Sequence, residues 1–259
     1  MTGFDWRTAT PEAIDHEYSP SRHAKRPLEE YLVDYRRAGE GLDTTTLSTV
    51  GAPLLVYIHG GYWQRLSAAD SLFNANDSRA LGVSLHAVDY TIAPAGTIEQ
   101  MIEECIIEVA GVLDRLGPRR VVLSGCSAGA HLAAMCARDP RLTERLDGVA
   151  LLSGIYDLRP LVMTPTNDPL GLDDARATRL SPILLPRVAM PSRVLCAVGG
   201  HESGEFIRQN AEFARHLEGG GVVVTSVVVE NRDHFDLPYD LLRRGTAVGD
   251  WVLSVLEVQ

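Results

Sequence analysis

The feature that most constrains the fold is an alternation, from residue 53 onward, of short apolar runs with longer amphipathic stretches. The runs are rich in Val, Leu and Ile and are apolar at every position rather than at every second one. Strands that are buried on both faces of a parallel sheet have this composition, because helices cover both faces. We expect strands at residues 54–58, 83–88, 120–124, 149–152, 194–198 and 222–229.

The stretches between the apolar runs have helical spacing. The clearest example is residues 98–116, where Ile98, Met101, Ile102 and Cys105 follow the i, i+3, i+4, i+7 pattern of a helix laid against a sheet. Alternating strands and helices predict right-handed βαβ crossovers, and hence a doubly wound α/β domain with a mostly parallel sheet and helices on both faces. Further helices are expected at residues 68–80, 128–138, 206–217 and 239–256.

Two parts of the chain fall outside this alternation. Residues 1–50 are polar and irregular, and we expect an N-terminal arm with a short helix or two packed on the main domain. Residues 156–190 are rich in Pro, Asp and Leu and predict a small cap-like insertion. Because 259 residues suit one large α/β domain and no linker composition divides the chain, we expect a single domain over residues 1–259.

The charge balance narrows the range of partners. With 24 basic and 34 acidic side chains the net charge is −10, which argues against a nucleic-acid or anionic-membrane partner, since either would need a basic face.

No apolar stretch approaches the roughly 20 residues that span a bilayer, and the N-terminus lacks the pattern of a signal peptide. The four cysteines form no C-x-x-C pair, so reduced thiols are expected. We therefore expect a cytoplasmic protein that acts on a small molecule.

The strongest local signal is the pattern G-x-S-x-G at residues 125–129, which read Gly-Cys-Ser-Ala-Gly. It follows a predicted strand and precedes a predicted helix, the context in which such a serine acts as a nucleophile. A serine on so tight a turn crowds the residues two before and two after it, so both must be glycine. The helix N-terminus favours the negative charge that develops during attack. Ser127 is therefore the predicted nucleophile.

A second motif, His-Gly-Gly-Tyr-Trp at residues 59–63, follows the first predicted strand. Glycine lets the main chain approach a reacting carbonyl without a Cβ clash, so that its N–H groups can stabilise an oxyanion. We predict an oxyanion hole formed by the amides of Gly60, Gly61 and Ala128, in which each donor typically contributes about 3 kcal/mol to transition-state stabilisation. His59 is expected to hold this loop by hydrogen bonds rather than to act as the base.

The general base and its carboxylate partner are predicted from their order along the chain. His234 follows the last predicted strand, where the catalytic histidine of this chain order is found. The carboxylate must lie between the nucleophile and His234, and its task is to fix the imidazole tautomer and stabilise the imidazolium. We favour Glu202, in the turn after the fifth predicted strand, and Asp157 and Glu205 remain as alternatives.

Aromatic side chains next to these groups predict a binding wall. Tyr62, Trp63 and Phe235 flank the predicted reacting groups and are candidates to contact the ring of a substrate, with plain packing as the alternative.

The sequence has no H-E-x-x-H motif and no compact set of His, Cys and Asp at metal-ligand spacing. It also lacks a dinucleotide fingerprint after a strand and a P-loop, so neither a metal nor a cofactor is expected.

Taken together, these motifs resemble those of the α/β-hydrolase arylformamidases, the kynurenine formamidases. The resemblance extends from about residue 18 to residue 236, and its most specific part is His-Gly-Gly-Tyr-Trp. The stretches that carry it are residues 18–22, 59–63, 127–131, 154–161, 201–206 with Gln209, and 234–235.

The resemblance implies an α/β-hydrolase fold and hydrolysis of N-formyl-L-kynurenine to L-kynurenine and formate, a step of tryptophan degradation. It supports Ser127, His234 and the Glu202 position as the catalytic triad, and it suggests a homodimer. The chain departs from the family pattern at two positions, since Glu202 stands where Asp is usual and Cys126 where His is commoner. A carboxylesterase for small acyl or aryl esters with the same triad is the alternative. A binding protein without turnover would require a lost triad member, and all three are available.

Overall fold

The computed structural model describes residues 4–42 and 47–258, so residues 1–3 and 43–46 of the predicted N-terminal arm, and Gln259, lie outside the described residues. The strands are β1 Leu54–Ile58, β2 Ser84–Val88, β3 Val121–Cys126, β4 Gly148–Leu152, β5 Arg193–Gly199 and β6 Val223–Val229. Within the described ranges they form one sheet in the order β2-β1-β3-β4-β5-β6, with every neighbouring pair parallel. The parallel sheet and its strand positions confirm the predicted fold class.

Helices connect the strands and cover both faces of the sheet. They are α1 Pro11–Glu17, α2 Leu28–Gly39, α3 Ala75–Leu81, α4 Ile98–Leu116, α5 Ala128–Ala137, α6 Pro140–Thr143, α7 Asp174–Arg179, α8 Gly204–Glu218 and α9 Ala247–Leu256. Short 3-10 turns lie at Pro20–Arg22, Ala68–Ser71, Arg159–Met163, Pro165–Asn167, Pro182–Leu184 and Leu237–Asp240. In the part of the chain that the structure describes, no helix has the length and apolar character needed to cross a bilayer.

Each face of the sheet has its own apolar core. In β1, Leu54, Val56 and Ile58 pack in the same cluster as the buried residues of α4, α5 and α8. Leu55 and Tyr57 point to the other face and pack with those of α3 and α9. Since both faces are covered, a ligand can approach only at the rim of the sheet, and the loops after the carboxyl ends of the strands are where such folds bind ligands.

The sequence-based prediction for the last strand was wrong in one respect. Its run of valines predicted burial on both faces, but β6 is an edge strand that pairs only with β5. Val223 is 68% exposed and Val228 is 41% exposed. β-Branched residues favour extended backbone wherever the strand lies, so composition predicts the strand but not its place in the sheet.

Two predicted helices are shorter than expected. Within residues 68–80, a separate 3-10 turn precedes α3, so the helical pattern is interrupted. Within residues 239–256, the regular helix begins only at α9. Gly245 adopts φ of 77°, which ends the preceding turn, and Thr246 then caps α9 by accepting a main-chain hydrogen bond through its Oγ1 at 3.0 Å. The apolar spacing continues across both breaks, which is why periodicity alone missed them.

The two segments outside the alternation both pack on the main domain. Helix α1 contacts α8 and the turn at Arg159–Met163, and α2 contacts the turn at Ala68–Ser71. The segment of residues 156–190 is joined to α5 by a hydrogen bond of 2.7 Å between His131 Nε2 and the Leu180 carbonyl oxygen. Neither segment is loosely attached to the domain.

Candidate active site

The turn between β3 and α5, residues 125–129, is called here the nucleophile turn. Ser127 has φ of 58° and ψ of −123°, a strained conformation for a residue with a Cβ. A Cβ on Gly125 would lie 2.3 Å from the Gly129 carbonyl oxygen, and one on Gly129 would lie 2.1 Å from the Ile58 carbonyl oxygen. Both flanking positions therefore require glycine, as the motif predicts, and Ser127 lies at the start of α5.

The loop after β1 lies directly against the nucleophile turn. A Cβ on Gly60 would be 2.8 Å from the Cys126 carbonyl oxygen and 3.3 Å from Ser127 Cβ. Among residues 4–42 and 47–258, the amide N–H groups of Gly60, Gly61 and Ala128 donate no hydrogen bond. For Ala128 this follows from its place in the first turn of α5, where N–H groups have no partner within the helix. Two of the three predicted oxyanion donors, Gly60 and Ala128, thus lie directly next to Ser127, and Gly61 follows Gly60 in the loop.

The side chain of His59 holds this loop in place. Its ring stacks on Tyr90 with centroids 4.1 Å apart, and its Nδ1 lies 2.9 Å from the Gly60 carbonyl oxygen. The Tyr90 hydroxyl donates to the His59 carbonyl oxygen at 2.9 Å. His59 Nε2 lies 3.5 Å from Asp89 Oδ1, and the His59 ring helps to hold the pKa of Asp89 below its ordinary value. These contacts are those of a residue that supports the loop.

His234 and Glu202 are joined by a short polar contact. His234 Nδ1 lies 2.6 Å from Glu202 Oε2. The other carboxylate oxygen, Oε1, accepts hydrogen bonds from Ser153 Oγ at 2.5 Å and from the Gly199 amide at 2.8 Å. Both side chains are almost completely buried. The Glu202 carboxylate is therefore held at three points, with one oxygen facing the imidazole.

The two alternative carboxylates have other partners. Asp157 forms two contacts with the Arg159 guanidinium, at 2.7 and 2.9 Å. Glu205 pairs with Arg208 at 2.7 and 2.8 Å and also accepts a hydrogen bond from the Tyr18 hydroxyl. The structure brings Glu202 against His234 and does not bring the other two there.

The loop that carries His234 touches the nucleophile turn through Cys126. We call residues 231–236 the histidine loop. The thiol of Cys126, next to Ser127, donates to the His234 carbonyl oxygen at 3.6 Å. Burial holds the pKa of this thiol well above its ordinary value, so it stays a neutral donor at physiological pH. Ser127 and His234 are each 5% exposed, and both lie at the carboxyl-end rim of the sheet.

Two of the three predicted wall residues lie at the surface of the site. Phe235 is half-buried, and its ring centroid is 5.2 Å from that of His234. Tyr62 is half-buried, and its hydroxyl donates to the Tyr18 carbonyl oxygen. Phe235 therefore lies next to the imidazole, whereas Tyr62 lies in the glycine loop.

Trp63 differs from the expectation. Its side chain is fully buried, and its ring packs edge-on against that of His131 with centroids 5.2 Å apart. Burial lowers the pKa of His131 to about 4, so that ring is neutral and packs as an uncharged group. A completely buried ring offers no face to a ligand. We therefore correct the prediction that Trp63 contacts a substrate, and assign its side chain a packing role.

Two residues of the site were missed at the level of sequence. Ser153, at φ of 50°, orients Glu202 from the end of β4. Phe206, in the first turn of α8, places its ring 4.9 Å from that of His234. Ser153 directly follows a strand, and Phe206 lies at the start of a predicted helix and within residues 201–206 of the family resemblance, but neither position indicates a place beside the imidazole or its carboxylate. Among the described residues, no group of three or more His, Cys, Asp or Glu is arranged to hold a metal ion.

Comparison with known proteins agrees with the fold and the motifs. Residues 55–236 match a family model described as alpha/beta hydrolase fold. A kynurenine formamidase of Salmo salar is 37% identical over 230 residues, which cover 84% of this chain and 76% of that protein. One of Danio rerio is 32% identical over 269 residues, covering 90% of this chain and 92% of that protein.

Solved structures support the same architecture. The carboxylesterase EstE1, from a metagenomic library, superposes with a TM-score of 0.71 over 98% of this chain and 99% of its own, at 16% identity. At that identity the likeness concerns the fold alone. The relatives of higher identity decide the family, and the chain belongs to the kynurenine formamidase family of α/β hydrolases.

Proposed function

We propose that this protein is a serine hydrolase of aryl formamides, with N-formyl-L-kynurenine as its substrate and L-kynurenine and formate as products. The observation that carries the proposal is the 2.6 Å contact between His234 Nδ1 and Glu202 Oε2, with His234 in a loop that the Cys126 thiol joins to the strained turn of Ser127. The substrate is inferred from the similarity to the kynurenine formamidases of Salmo salar and Danio rerio.

The first half of the reaction transfers the formyl group to the enzyme. Glu202 stays ionised and accepts a hydrogen bond from Nδ1–H of His234, so that the unprotonated Nε2 faces Ser127 Oγ and takes its proton. The Ser127 oxygen attacks the formyl carbon, and the carbonyl oxygen becomes an oxyanion that the N–H groups of Gly60, Gly61 and Ala128 stabilise. The imidazolium then protonates the aryl nitrogen, the C–N bond breaks, and the amine leaves.

The second half releases formate. His234 takes a proton from water, the hydroxide attacks the formyl ester on Ser127, and the same N–H groups stabilise the second oxyanion. Collapse of this intermediate breaks the ester bond, returns the proton from the imidazolium to Ser127 Oγ and frees formic acid, which ionises to formate in solution. The enzyme is restored with no net change in its protons.

The surroundings of Ser127 favour a small acyl group. The serine is 5% exposed, and the Gly60 main chain lies against its Cβ. A formyl group carries only a hydrogen on its carbonyl carbon and needs less space there than any other acyl group. The aryl ring would lie beside Phe235 and Tyr62, and an aromatic amine leaves more readily than an alkyl amine.

The test is a comparison of acyl groups on one leaving group. We expect kcat/KM for N-formylkynurenine to exceed that for N-acetylkynurenine by about 100-fold or more, in line with the typical cost of a misplaced reacting centre. p-Nitrophenyl acetate is assayed in parallel. Equal rates on the formyl and acetyl amides, with a far higher rate on the ester, would contradict the proposal.

That outcome would favour the second candidate, a carboxylesterase for small acyl or aryl esters. The fold likeness to EstE1 and the shared requirement for a serine, a histidine and an oxyanion hole are the observations behind it. The same residues would carry the reaction, so the substrate comparison separates the two candidates.

We further propose that the protein acts in the cytoplasm as a single domain over residues 1–259, with residues 156–190 as a small cap. The four cysteines are free and buried, which suits a reducing compartment. The homodimer stays a prediction, and sedimentation equilibrium would test it by giving either one or two chain masses.

A further inference from the structure

A second buried carboxylate lies next to His234 in the chain. Asp233 is 1% exposed and does not contact the imidazole partner Glu202. Within the histidine loop its Oδ1 accepts hydrogen bonds from the amides of Phe235 at 2.9 Å and Asp236 at 3.0 Å. These two bonds wrap the main chain around His234 into a tight turn.

The remaining hydrogen bonds to Asp233 come from the N-terminal segment, which we define as residues 25–35. The Tyr31 hydroxyl donates to Asp233 Oδ2 at 2.5 Å, and the Lys25 amide donates to the same oxygen at 2.8 Å. Burial by itself would raise the pKa of Asp233, but these four hydrogen bonds hold it below its ordinary value. The buried carboxylate is charged, and half of the donors that make this possible lie about 200 residues away in the chain.

The same segment holds the residues on both sides of His234. The Lys25 ammonium donates to the Asn231 carbonyl oxygen at 2.8 Å and lies 2.5 Å from Asp236 Oδ2. The Tyr31 ring packs on that of Phe235 with centroids 5.3 Å apart. The histidine loop is thus held at its start, middle and end by one stretch of chain.

We propose that the N-terminal segment positions the general base, with Tyr31 as the principal positioning residue, acting on His234 through Asp233. The proposal deepens the proposed function, because it assumes that His234 is the base. Imidazole position decides the rate, since an error of about 1 Å in a reacting group can cost on the order of 100-fold. Because Asp233 directly precedes His234 in the loop, the position of His234 depends on that of Asp233, which Tyr31 holds in place.

The test compares two tyrosines whose hydroxyls each donate a hydrogen bond to a buried carboxylate. Tyr31→Phe removes one buried hydroxyl-to-carboxylate hydrogen bond but keeps the ring. Tyr18→Phe is the matched control: its hydroxyl donates to buried Glu205 at 2.8 Å, from the same N-terminal part of the chain, but not to the histidine loop. Urea unfolding shows how far each substitution lowers stability, and kinetics are measured where both variants are fully folded.

We expect Tyr31→Phe to lower kcat about tenfold while KM changes less than about twofold, because a displaced base slows the chemical step and leaves binding intact. Labelling of Ser127 by a fluorophosphonate should slow by a similar factor. Tyr18→Phe should leave kcat, KM and the labelling rate within about twofold of wild type. Equal kinetic losses in the two variants, a change in KM alone, or an unchanged kcat in Tyr31→Phe would overturn the proposal.

A third variant covers the case in which Tyr31→Phe does not fold. Lys25→Met keeps the apolar stem and removes the contacts to Asn231 and Asp236, and we expect kcat to fall about threefold. All variants are assayed on N-formylkynurenine and on p-nitrophenyl acetate. If wild type cleaves only the ester, the proposed substrate is wrong, while the comparison of the tyrosines on the ester still decides the role of the N-terminal segment.

Discussion

The nucleophile turn and the histidine loop carry the two reacting groups, and they are held in different ways. In the nucleophile turn, main-chain atoms pack against main-chain atoms, with no space for a Cβ at Gly125 or Gly129. The histidine loop meets one glycine in the same way, since a Cβ on Gly199 would lie 2.5 Å from the Arg232 carbonyl oxygen, but around His234 it is held chiefly by the side chains of Asp233 and Tyr31. The partners in the first region are at most about 70 residues apart, whereas Tyr31 and Asp233 are 202 residues apart.

This difference explains which part of the site a short motif can reveal. Steric limits on a turn act between neighbours, so they leave a local pattern of glycines around Ser127. A hydrogen bond between distant residues leaves no local pattern, because tyrosine, lysine and aspartate are also common on surfaces. The following predictions test the comparison, beginning with the largest expected effect.

Removing the nucleophile should have the largest effect. Ser127→Ala should lower kcat by about 10⁴-fold or more, because no other group can form the formyl ester. The measurement is turnover of N-formylkynurenine, with circular dichroism and urea unfolding as controls for the fold. A folded Ser127→Ala protein that keeps appreciable turnover would show that the nucleophile is another residue.

The two carboxylates of the second prediction differ in what they contact. Glu202→Gln should lower kcat by about 10³- to 10⁴-fold, because the amide would favour the wrong tautomer of His234. Asp157→Asn should change kcat by less than about threefold, since Asp157 pairs with Arg159 and not with the imidazole. The reverse ranking in steady-state kinetics would move the acid of the triad to the loop after β4.

The third prediction concerns the close packing of the glycine loop. Gly60→Ala places a Cβ 2.8 Å from the Cys126 carbonyl oxygen, so the loop must move and the oxyanion donors with it. We expect kcat/KM to fall about 10- to 100-fold. Gly82→Ala is the control: its φ of 65° strains an alanine by about 1–2 kcal/mol, but no atom lies within 4 Å of the new Cβ. If the two alanine variants have equal kcat/KM, the close approach has no role in catalysis.

The smallest effect is expected for the buried thiols, of which Cys126 lies between the two regions. Burial holds the pKa of Cys126 well above its ordinary value and raises that of Cys196 to about 12. At pH 8 both should therefore be neutral thiols and react slowly with a disulfide reagent. We expect little modification of the native protein, with kcat within about twofold of its starting value, and modification of all four cysteines after unfolding. Rapid loss of activity on treatment of the native protein would show that the contact between the two regions opens readily.

The sequence predicted the sheet well because its strands are uniformly apolar and separated by helices. Each predicted strand begins and ends within two residues of the observed strand. The exposed face of β6 and the late start of α9 were missed, since neither apolar composition nor spacing records an edge position or a glycine that ends a turn. In the site, the motif and the chain order predicted Ser127, Glu202 and His234 as one set of residues. The burial of Trp63 could not be predicted, because it depends on the packing of residues that are distant in the sequence.

The central claim is that the imidazole of His234 activates the hydroxyl of Ser127. The most direct measurement is the second-order rate constant for labelling of Ser127 by a fluorophosphonate, in wild type and in His234→Ala. The account predicts a fall of about 10³-fold or more in the variant, with the fold intact. A His234→Ala protein that is folded and labelled at the wild-type rate would contradict it.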